Sequence, residues 1–201
     1  MGLKPVNNTS RAWIVILAFL LAVVVGDHAR GEDAPTKKVK VGDITLVVPI
    51  TWKQQPPVNR LRLAQFEIPV SGNDKEPAEL SVFNFGAGGT VDQQVDRWKG
   101  QFLPANRKFS MERGKIELGE YVLVNLAGTY KKPTGPPVLR KTKSMPGAEM
   151  LVAMIRTENG TYFLKLVGLK ATVSATAADF RKAIGAPAKK PAAAKEKPAT
   201  P

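Results

Sequence analysis

The sequence predicts an α+β fold: an antiparallel sheet of about eight strands, arranged as two ββββα halves, with one helix on each face (an α/β/α sandwich). Three observations predict it. Short β-rich segments are separated by two-residue turns, a helical segment follows each group of four strands, and three of the strands are apolar at nearly every position. Such strands need cover on both faces of their sheet, and one helix is available for each face.

The first 31 residues are typical of a secretory signal peptide. A short basic stretch precedes the almost wholly apolar run 13–25, and Ala29 and Gly31 are the small residues that a cleavage site needs. The run is shorter than the roughly 20 apolar residues of a membrane-spanning helix. We therefore expect cleavage between Gly31 and Glu32 and a secreted or periplasmic protein. An uncleaved N-terminal anchor is the alternative, in which this segment alone would contact the membrane.

The rest of the chain predicts one globular domain over residues 38–185. Residues 32–37 form a polar leader, and 186–201 form an Ala, Pro and Lys tail with no apolar residue larger than alanine. Neither segment can pack a core, so we expect the tail to be disordered.

The first half of the domain begins with a predicted hairpin, strands 38–41 and 44–49 joined by the two residues Gly42 and Asp43. Two further strands follow, at 60–68 and 79–85. The apolar phase changes within the first of these two, which predicts a β-bulge or a twist between faces.

A helix completes the first half. Thr90 is its expected N-cap, with Gln93 placed three residues later as in a capping box, and Pro104 ends it. Its apolar residues recur at spacings of four, three and four, which predicts one buried stripe. The stripe consists of Val91, Val95, Trp98 and Phe102.

The second half repeats this order. Two hairpins are predicted, about Gly119-Glu120 and about Asn159-Gly160, and a second helix at 173–184, capped by Thr172 and ended by Gly185. The four strands of these hairpins are 115–118, 121–130, 150–157 and 161–168.

This strand order and two-sided burial resemble the PsbP-like sandwich, a fold whose members mostly act as binding or assembly factors. Three strings, LRLAQFEIP, RWKGQF after the glycine loop, and GTYKKPTGPP, are similar to an uncharacterised family of secreted bacterial proteins. The resemblance covers most of residues 40–185. It implies a fold, but no activity, cofactor or catalytic residue.

Composition narrows the chemistry. The chain has no cysteine, and its one histidine, His28, precedes the predicted cleavage site. Catalysis by Ser-His-Asp or Cys-His groups needs an imidazole, and the common transition-metal sites need imidazole or thiolate ligands. We therefore predict no catalytic residues of these classes, no metal site and no cofactor.

The charge of the chain favours an anionic partner. Lysine and arginine number 30 against 17 acidic residues, and removal of the first 31 residues leaves 27 against 16. Such an excess favours a polyanion, an anionic envelope component or an acidic protein. We expect no nucleic acid partner, because the sequence has no recognition module and only Tyr130 lies beside the basic segment for stacking.

Two segments are candidate anion sites. The first is the glycine loop before the first helix, because free amides at a helix N-terminus can hold an anion; its alternative is a plain flexible turn. The second is residues 131–148, which we expect to be a long structureless basic loop; its alternative is a solvated surface loop. The candidate residues are Gly86, Gly88, Gly89 and Thr90 in the first, and Lys131, Lys132, Arg140, Lys141 and Lys143 in the second.

The leading hypothesis is an exported, non-catalytic binding or accessory module of the cell envelope that holds an anionic partner. A carboxylate-dependent hydrolase acting on glycans is an alternative, because acids are among the few catalytic groups left. Its candidate acids are Glu67, Glu79, Asp92 and Glu149. A structural assembly factor is the other alternative, and it would need an apolar patch on a sheet edge or a helix face.

Overall fold

The described residues of the computed structural model are 1–2, 34–86, 89–135 and 139–188. The predicted signal peptide, its cleavage site between Gly31 and Glu32, and nearly all of the tail lie outside them. All described helices and strands belong to one compact unit that begins at Ala34. None of the helices in the described ranges has both the length and the hydropathy needed to cross a membrane.

Nine strands and two helices follow one another along the described chain. In order they are β1 (Thr36–Val41), β2 (Ile44–Pro49), β3 (Lys53–Gln55), β4 (Arg62–Ile68), β5 (Ala78–Asn84), α1 (Val91–Lys99), β6 (Lys108–Ile116), β7 (Gly119–Pro133), β8 (Thr142–Thr157), β9 (Gly160–Leu169) and α2 (Lys170–Ala183).

Seven strands form one antiparallel sheet in the order β3-β4-β5-β9-β8-β7-β6, and β1 pairs with β2 as a separate hairpin. The predicted fold class is confirmed, although five strands rather than four precede α1. The two halves of the chain meet where β5 pairs with β9. The predicted bulge in β4 is also confirmed, since its register with β5 shifts between Arg62 and Ala64.

The central strands are buried on both faces, as their composition predicts. In β8, Leu151 and Ile155 belong to one apolar cluster, and Met150 and Met154 belong to the other. Side chains alternate between the two faces of a strand, so the two clusters lie on opposite faces of the sheet.

Each face is covered by different elements. Val173 and Phe180 of α2 pack with Trp52 and the β1–β2 hairpin on one face. On the other face, Trp98 of α1 packs edge-on against Phe163 of β9, with ring centroids 6.2 Å apart. We call this second side the α1 face.

The first helix begins as predicted and ends earlier than predicted. Thr90 caps it and forms the expected capping box with Gln93. The helix ends at Lys99, with Gly100 as its C-cap, rather than at Pro104. Phe102 is nevertheless buried on the α1 face, because the segment after the helix pairs with Tyr130 of β7.

The prediction that Thr172 caps the second helix was wrong. This helix begins three residues earlier than predicted, and its N-cap, Leu169, makes no side-chain hydrogen bond. Thr172 lies within the first turn, and its backbone amide donates to the carboxylate of Asp74 at 2.7 Å. An acid from the β4–β5 connection thus takes over the capping role. The predicted end is confirmed, since Gly185 follows the C-cap with φ of 75°.

Two predicted turns were one residue or more out of place. Ile116 pairs with Gly119, so the turn is formed by Glu117 and Leu118 and not by Gly119 and Glu120. Gly119 has φ of 135°, and a Cβ atom there would collide with the backbone carbonyl oxygen of Arg156. The glycine is therefore explained by the close approach of β8 and not by the turn. Similarly, Gly160 pairs with Thr157 and ends the turn after Asn159.

Candidate functional site

The segment predicted to be a long structureless loop is mostly a β-hairpin, so that prediction was wrong. β7 continues to Pro133, and β8 begins directly opposite it at Thr142. Only residues 134–141 connect the two strands. The hairpin end is a two-stranded ribbon rich in polar and charged side chains, so it lacks the alternation of apolar residues by which a half-buried strand is recognised. We call residues 131–148, which form this end of the β7–β8 hairpin, the basic hairpin.

The basic hairpin brings two of the predicted lysines side by side. Lys132 and Lys143 are direct cross-strand partners, and both are exposed. Lys132 Nζ lies 2.8 Å from Glu76 Oε2. That hydrogen bond, together with the charges of Lys132 and Lys143, lowers the pKa of Glu76. The remaining predicted residues are Lys131 on β7 and the exposed Arg140 and Lys141 in the connection.

A shallow groove of about 420 Å³ runs along the base of this hairpin. Lys75 and Glu76 of the β4–β5 connection line one side of it, and Lys132, Lys143 and Met145 line the other. Two lysines directly opposite each other on a sheet repel, so Glu76 offsets part of an unfavourable arrangement. The groove keeps an excess of positive charge.

The predicted glycine-loop site lies next to the N-terminus of α1, but two of its backbone amides already donate hydrogen bonds within the capping box. The Thr90 hydroxyl accepts from the Gln93 amide at 3.2 Å, and the Gln93 side chain accepts from the Thr90 amide at 3.2 Å. Asp92 also adds a negative charge to the first turn. Gly86 and Gly89 have φ of 57° and 75°, as a sharp connection requires. Gly88 lies outside the described residues.

A pocket that the sequence did not predict lies on the α1 face. It has a volume of about 410 Å³. Its floor is formed by β4, β5 and β9, and one wall is formed by the start of the basic hairpin. α1 has only nine residues and packs toward β7 and Phe163 of β9, and it does not cover the parts of β4, β5 and β9 that line the pocket. The lining side chains that matter below are Arg62, Gln65, Glu67, Glu79, Ser81, Phe83, Tyr130, Lys132, Met145, Lys165 and Val167.

One side of the pocket holds a closed polar network around Glu79. Arg62 Nη1 lies 2.9 Å from one carboxylate oxygen, and the Ser81 hydroxyl donates to the same oxygen at 2.9 Å. Gln65 donates to the other oxygen at 3.0 Å. Both oxygens of Glu79 are thus engaged, and the charge of Arg62 is neutralised.

Lys165 lies on the floor of the same pocket, in the middle of β9. Its Nζ donates to Gln101 Oε1 at 2.7 Å and to the Tyr130 hydroxyl at 3.1 Å. Gln101 reaches it because its segment is tied to β7 by the amide of Lys131. Burial lowers the pKa of Lys165 to about 8 and raises the pKa of Tyr130 to about 12. At pH 7 the lysine therefore still carries its proton and its positive charge, and the tyrosine hydroxyl is also protonated.

A signal for this site was present in the sequence. Lys165 is the one charged residue in the strand segment 162–167, which is otherwise apolar. A lysine in such a strand is expensive to bury unless it lies in a polar pocket. The sequence alone could not locate the pocket. The pocket exists because α1 does not lie over this part of the sheet, and the sequence does not show where α1 packs.

The four candidate acids do not converge on one place. Glu67 and Glu79 are direct cross-strand partners and line the same pocket. Asp92 lies in the first turn of α1. Glu149 is buried, and it accepts from Asn125 at 2.7 Å and from Ser174 of α2 at 2.6 Å, so its contacts are structural. No group of three or more potential metal ligands occurs within the described ranges.

Comparisons with known proteins gave similarity only to solved structures. No family model matches the chain, and no curated protein matches it. A protein of unknown function from Pseudomonas aeruginosa is similar with a TM-score of 0.45 and 14% identity, over 78% of this chain and 99% of that one. The PsbP protein of the cyanobacterium Synechocystis (CyanoP) is similar with a TM-score of 0.45 and 7% identity, over 80% and 96%.

These likenesses concern the path of the backbone and say nothing about a ligand or an activity. A PsbP protein is thus among the structures that this chain is similar to. The resemblance to a family of secreted bacterial proteins stays a prediction.

Proposed function

We propose that this chain is an exported, non-catalytic binding module of the cell envelope that holds an anionic partner through the basic hairpin. The observation that carries the proposal is the direct pairing of Lys132 with Lys143 beside a groove whose positive charge Glu76 partly neutralises. The partner class is a polyanion, either a sulfated or phosphate-bearing polymer or an acidic protein surface.

Physical chemistry supports this partner class. Exposed cations held on a two-stranded ribbon present their charge at a fixed spacing, which favours a partner with repeated negative charge. Each exposed ion pair contributes only about 0.2–1 kcal/mol, so useful affinity requires several pairs at once. Lys131, Arg140 and Lys141 extend the basic surface beyond the pair.

The experiment compares two variants of equal charge. In the hairpin variant, Lys131, Lys132, Arg140, Lys141 and Lys143 are all changed to Ser. The control variant changes four lysines and one arginine that are exposed elsewhere: Lys38, Lys40, Lys53, Arg60 and Lys108. Binding of each full chain to heparin and to polyphosphate is measured between about 0.05 and 0.5 M salt, a range over which screening strengthens.

We expect the hairpin variant to bind about tenfold or more weakly, and the control variant to bind nearly as the wild type does. Wild-type affinity should fall steeply with salt. Equal losses in the two variants would mean that net charge and not the hairpin determines binding. A wild-type chain that binds neither polymer at low salt would overturn the proposal.

A carboxylate-dependent hydrolase is the second candidate, and one observation favours it: Glu67 and Glu79 line the same pocket. Glu79 is ion-paired with Arg62, which suits a charge-balancing role better than proton transfer. Release of reducing ends from an envelope glycan by the wild type, and its loss in Glu67→Gln, would establish the hydrolase in place of the binding module.

A further inference from the structure

The pocket on the α1 face has the charge and the lining of a small-molecule site. We propose that it binds a small organic carboxylate, a monoanion whose counter-ion is Lys165. This proposal does not depend on the basic hairpin holding a polyanion, because Lys165 lies on the sheet floor and outside the hairpin.

The charges that face the pocket leave one positive charge without a partner. The lining contains three basic residues, Arg62, Lys132 and Lys165, and two acidic ones, Glu67 and Glu79. Arg62 is neutralised by Glu79, and Lys132 is paired outside the pocket with Glu76. Within the described part of the chain, neither Lys165 nor Glu67 has an ion pair, and Glu67 lies between its cross-strand partners Lys53 and Glu79. A carboxylate bound at Lys165 would supply the ion pair that this lysine lacks.

Lys165 also has hydrogen-bonding capacity to spare. An ammonium group has three N–H donors, and two of them are used by the neutral acceptors Gln101 Oε1 and Tyr130 Oη. A carboxylate is acceptor-only, so its oxygens match donors of this kind.

The size and the apolar part of the pocket limit the ligand. A volume of about 410 Å³ is at the lower end of the roughly 300–1,000 Å³ that is usual for small-molecule sites. Phe83, Met145 and Val167 supply apolar surface beside the polar groups. A carboxylate with a compact ring or a short alkyl chain fits both requirements.

A lysine with a lowered pKa also suits Schiff-base chemistry, in which the neutral amine attacks a carbonyl and water leaves. The contacts of Lys165 favour the charged form instead. Gln101 Oε1 and the protonated Tyr130 hydroxyl both accept from Nζ. Hydrogen bonds from an ammonium are stronger than those from a neutral amine, so both contacts oppose the effect of burial. We therefore assign Lys165 the role of counter-ion and not that of nucleophile.

The experiment uses benzoate and hexanoate as probes, with the neutral amides benzamide and hexanamide as matched controls. Binding to the full chain is followed by calorimetry and by the NMR signal of the Met145 methyl group, which lines the pocket, with the exposed Met111 methyl group as reference. We expect the carboxylates to shift Met145 and not Met111, and the amides to shift neither. If neither carboxylate shifts Met145, or if the amides bind equally well, the proposal is overturned.

Variants connect the binding to Lys165. Lys165→Met should weaken benzoate binding about tenfold or more, because a charge-assisted hydrogen bond is lost, whereas Lys170→Met, which removes an exposed lysine, should not change it. Changing Lys131, Arg140 and Lys141 to Ser should also leave it unchanged, since none of the three lines the pocket. That result separates this proposal from the proposed function of the hairpin. Equal affinities of Lys165→Met and Lys170→Met would contradict it.

A measurement on the wild type covers the case in which Lys165→Met does not fold. Saturating benzoate should raise the pKa of the Lys165 ammonium, and benzoate affinity should fall as the pH rises above about 8, where the free lysine loses its proton. An unchanged pKa would overturn the proposal. So would a borohydride-trapped adduct of Lys165 with pyruvate, which would make the lysine a nucleophile.

Discussion

The hydroxyl of Tyr162 in β9 donates a hydrogen bond to the carboxylate of Asp43, in the turn of the β1–β2 hairpin. The Asp43 amide also donates to that hydroxyl at 3.2 Å. The two residues are 119 positions apart in the sequence. This pair holds the hairpin, which lies outside the main sheet, against the face that it covers.

Tyr162→Phe should lower the free energy of unfolding by about 1.5–3 kcal/mol, the usual contribution of a hydrogen bond to a charged group. The ring stays in place, so the apolar packing is unchanged and the loss reports the hydroxyl alone. Urea unfolding followed by fluorescence measures it. An unchanged midpoint would mean that the Tyr162 hydroxyl contributes nothing to holding the hairpin, which Asn159 also contacts through Asp43.

Gly42→Ala should destabilise the domain more than Gly86→Ala does. Both glycines have positive φ, 63° and 57°, so both variants suffer similar backbone strain of about 1–2 kcal/mol. A Cβ at Gly42 would also lie 2.5 Å from the Tyr162 hydroxyl, whereas one at Gly86 would meet open space. Thermal unfolding of the two variants measures the difference, and equal losses would contradict the close approach.

Thr90→Ala should cost about 1 kcal/mol of stability, because it removes the side-chain acceptor of the α1 capping box. The effect should reach the apolar cluster of the α1 face, since α1 contributes Val95 and Trp98 to it. Urea unfolding monitored by tryptophan fluorescence tests this. Thr90→Ser, which keeps the hydroxyl, is the control and should restore most of the loss.

Local signals predicted the elements that depend on neighbouring residues. Thr90 and Gln93 are three residues apart, and their capping box was recognised without any tertiary information. The cap of α2 could not be found in the same way, because its acceptor, Asp74, is 98 residues away from Thr172. The sequence around Thr172 offered a plausible local cap, and a tertiary contact overrode it.

The pocket shows the same limit for a functional site. Lys165 is conspicuous in an apolar strand, but its partners Gln101 and Tyr130 are 64 and 35 residues away. In the basic hairpin the charged residues are evident from the sequence, but the pairing of β7 with β8 is not. The sequence thus identified the charged residues, but their contacts depend on the fold and could not be predicted from the sequence.

We predict that the chain is exported and that the mature protein begins at Glu32. Ala29 and Gly31 are the small residues that signal peptidase requires, at a suitable distance after the apolar run. N-terminal sequencing of the protein from the extracellular or periplasmic fraction tests this. A start upstream of His28 would retain the one imidazole of the chain, and a histidine-dependent catalytic or metal site would then have to be considered again.

Lys165 should make the stability of the domain depend on pH in an unusual direction. Burial lowers its pKa from 10.5 to about 8 in the folded state. Below about pH 8 both the folded and the unfolded chains carry this proton, so the folded state bears the full cost of burying the charge. Between about pH 8 and 10 the folded state has released the proton while the unfolded state still binds it. The stability that Lys165 contributes therefore rises with pH over this range.

The measurement is the difference in unfolding free energy between the wild type and Lys165→Met, from urea unfolding at a series of pH values. Groups common to both proteins cancel in this difference. The unfolding free energy of the wild type, relative to that of the variant, should therefore increase by at most about 1.4 kcal/mol per pH unit between pH 8 and 10, and should not change below pH 7. Lys170→Met, which loses an exposed lysine, controls for net charge. A flat difference between the wild type and Lys165→Met would mean that the ammonium of Lys165 is well solvated, and a downward slope would mean that its charged form is stabilised by folding.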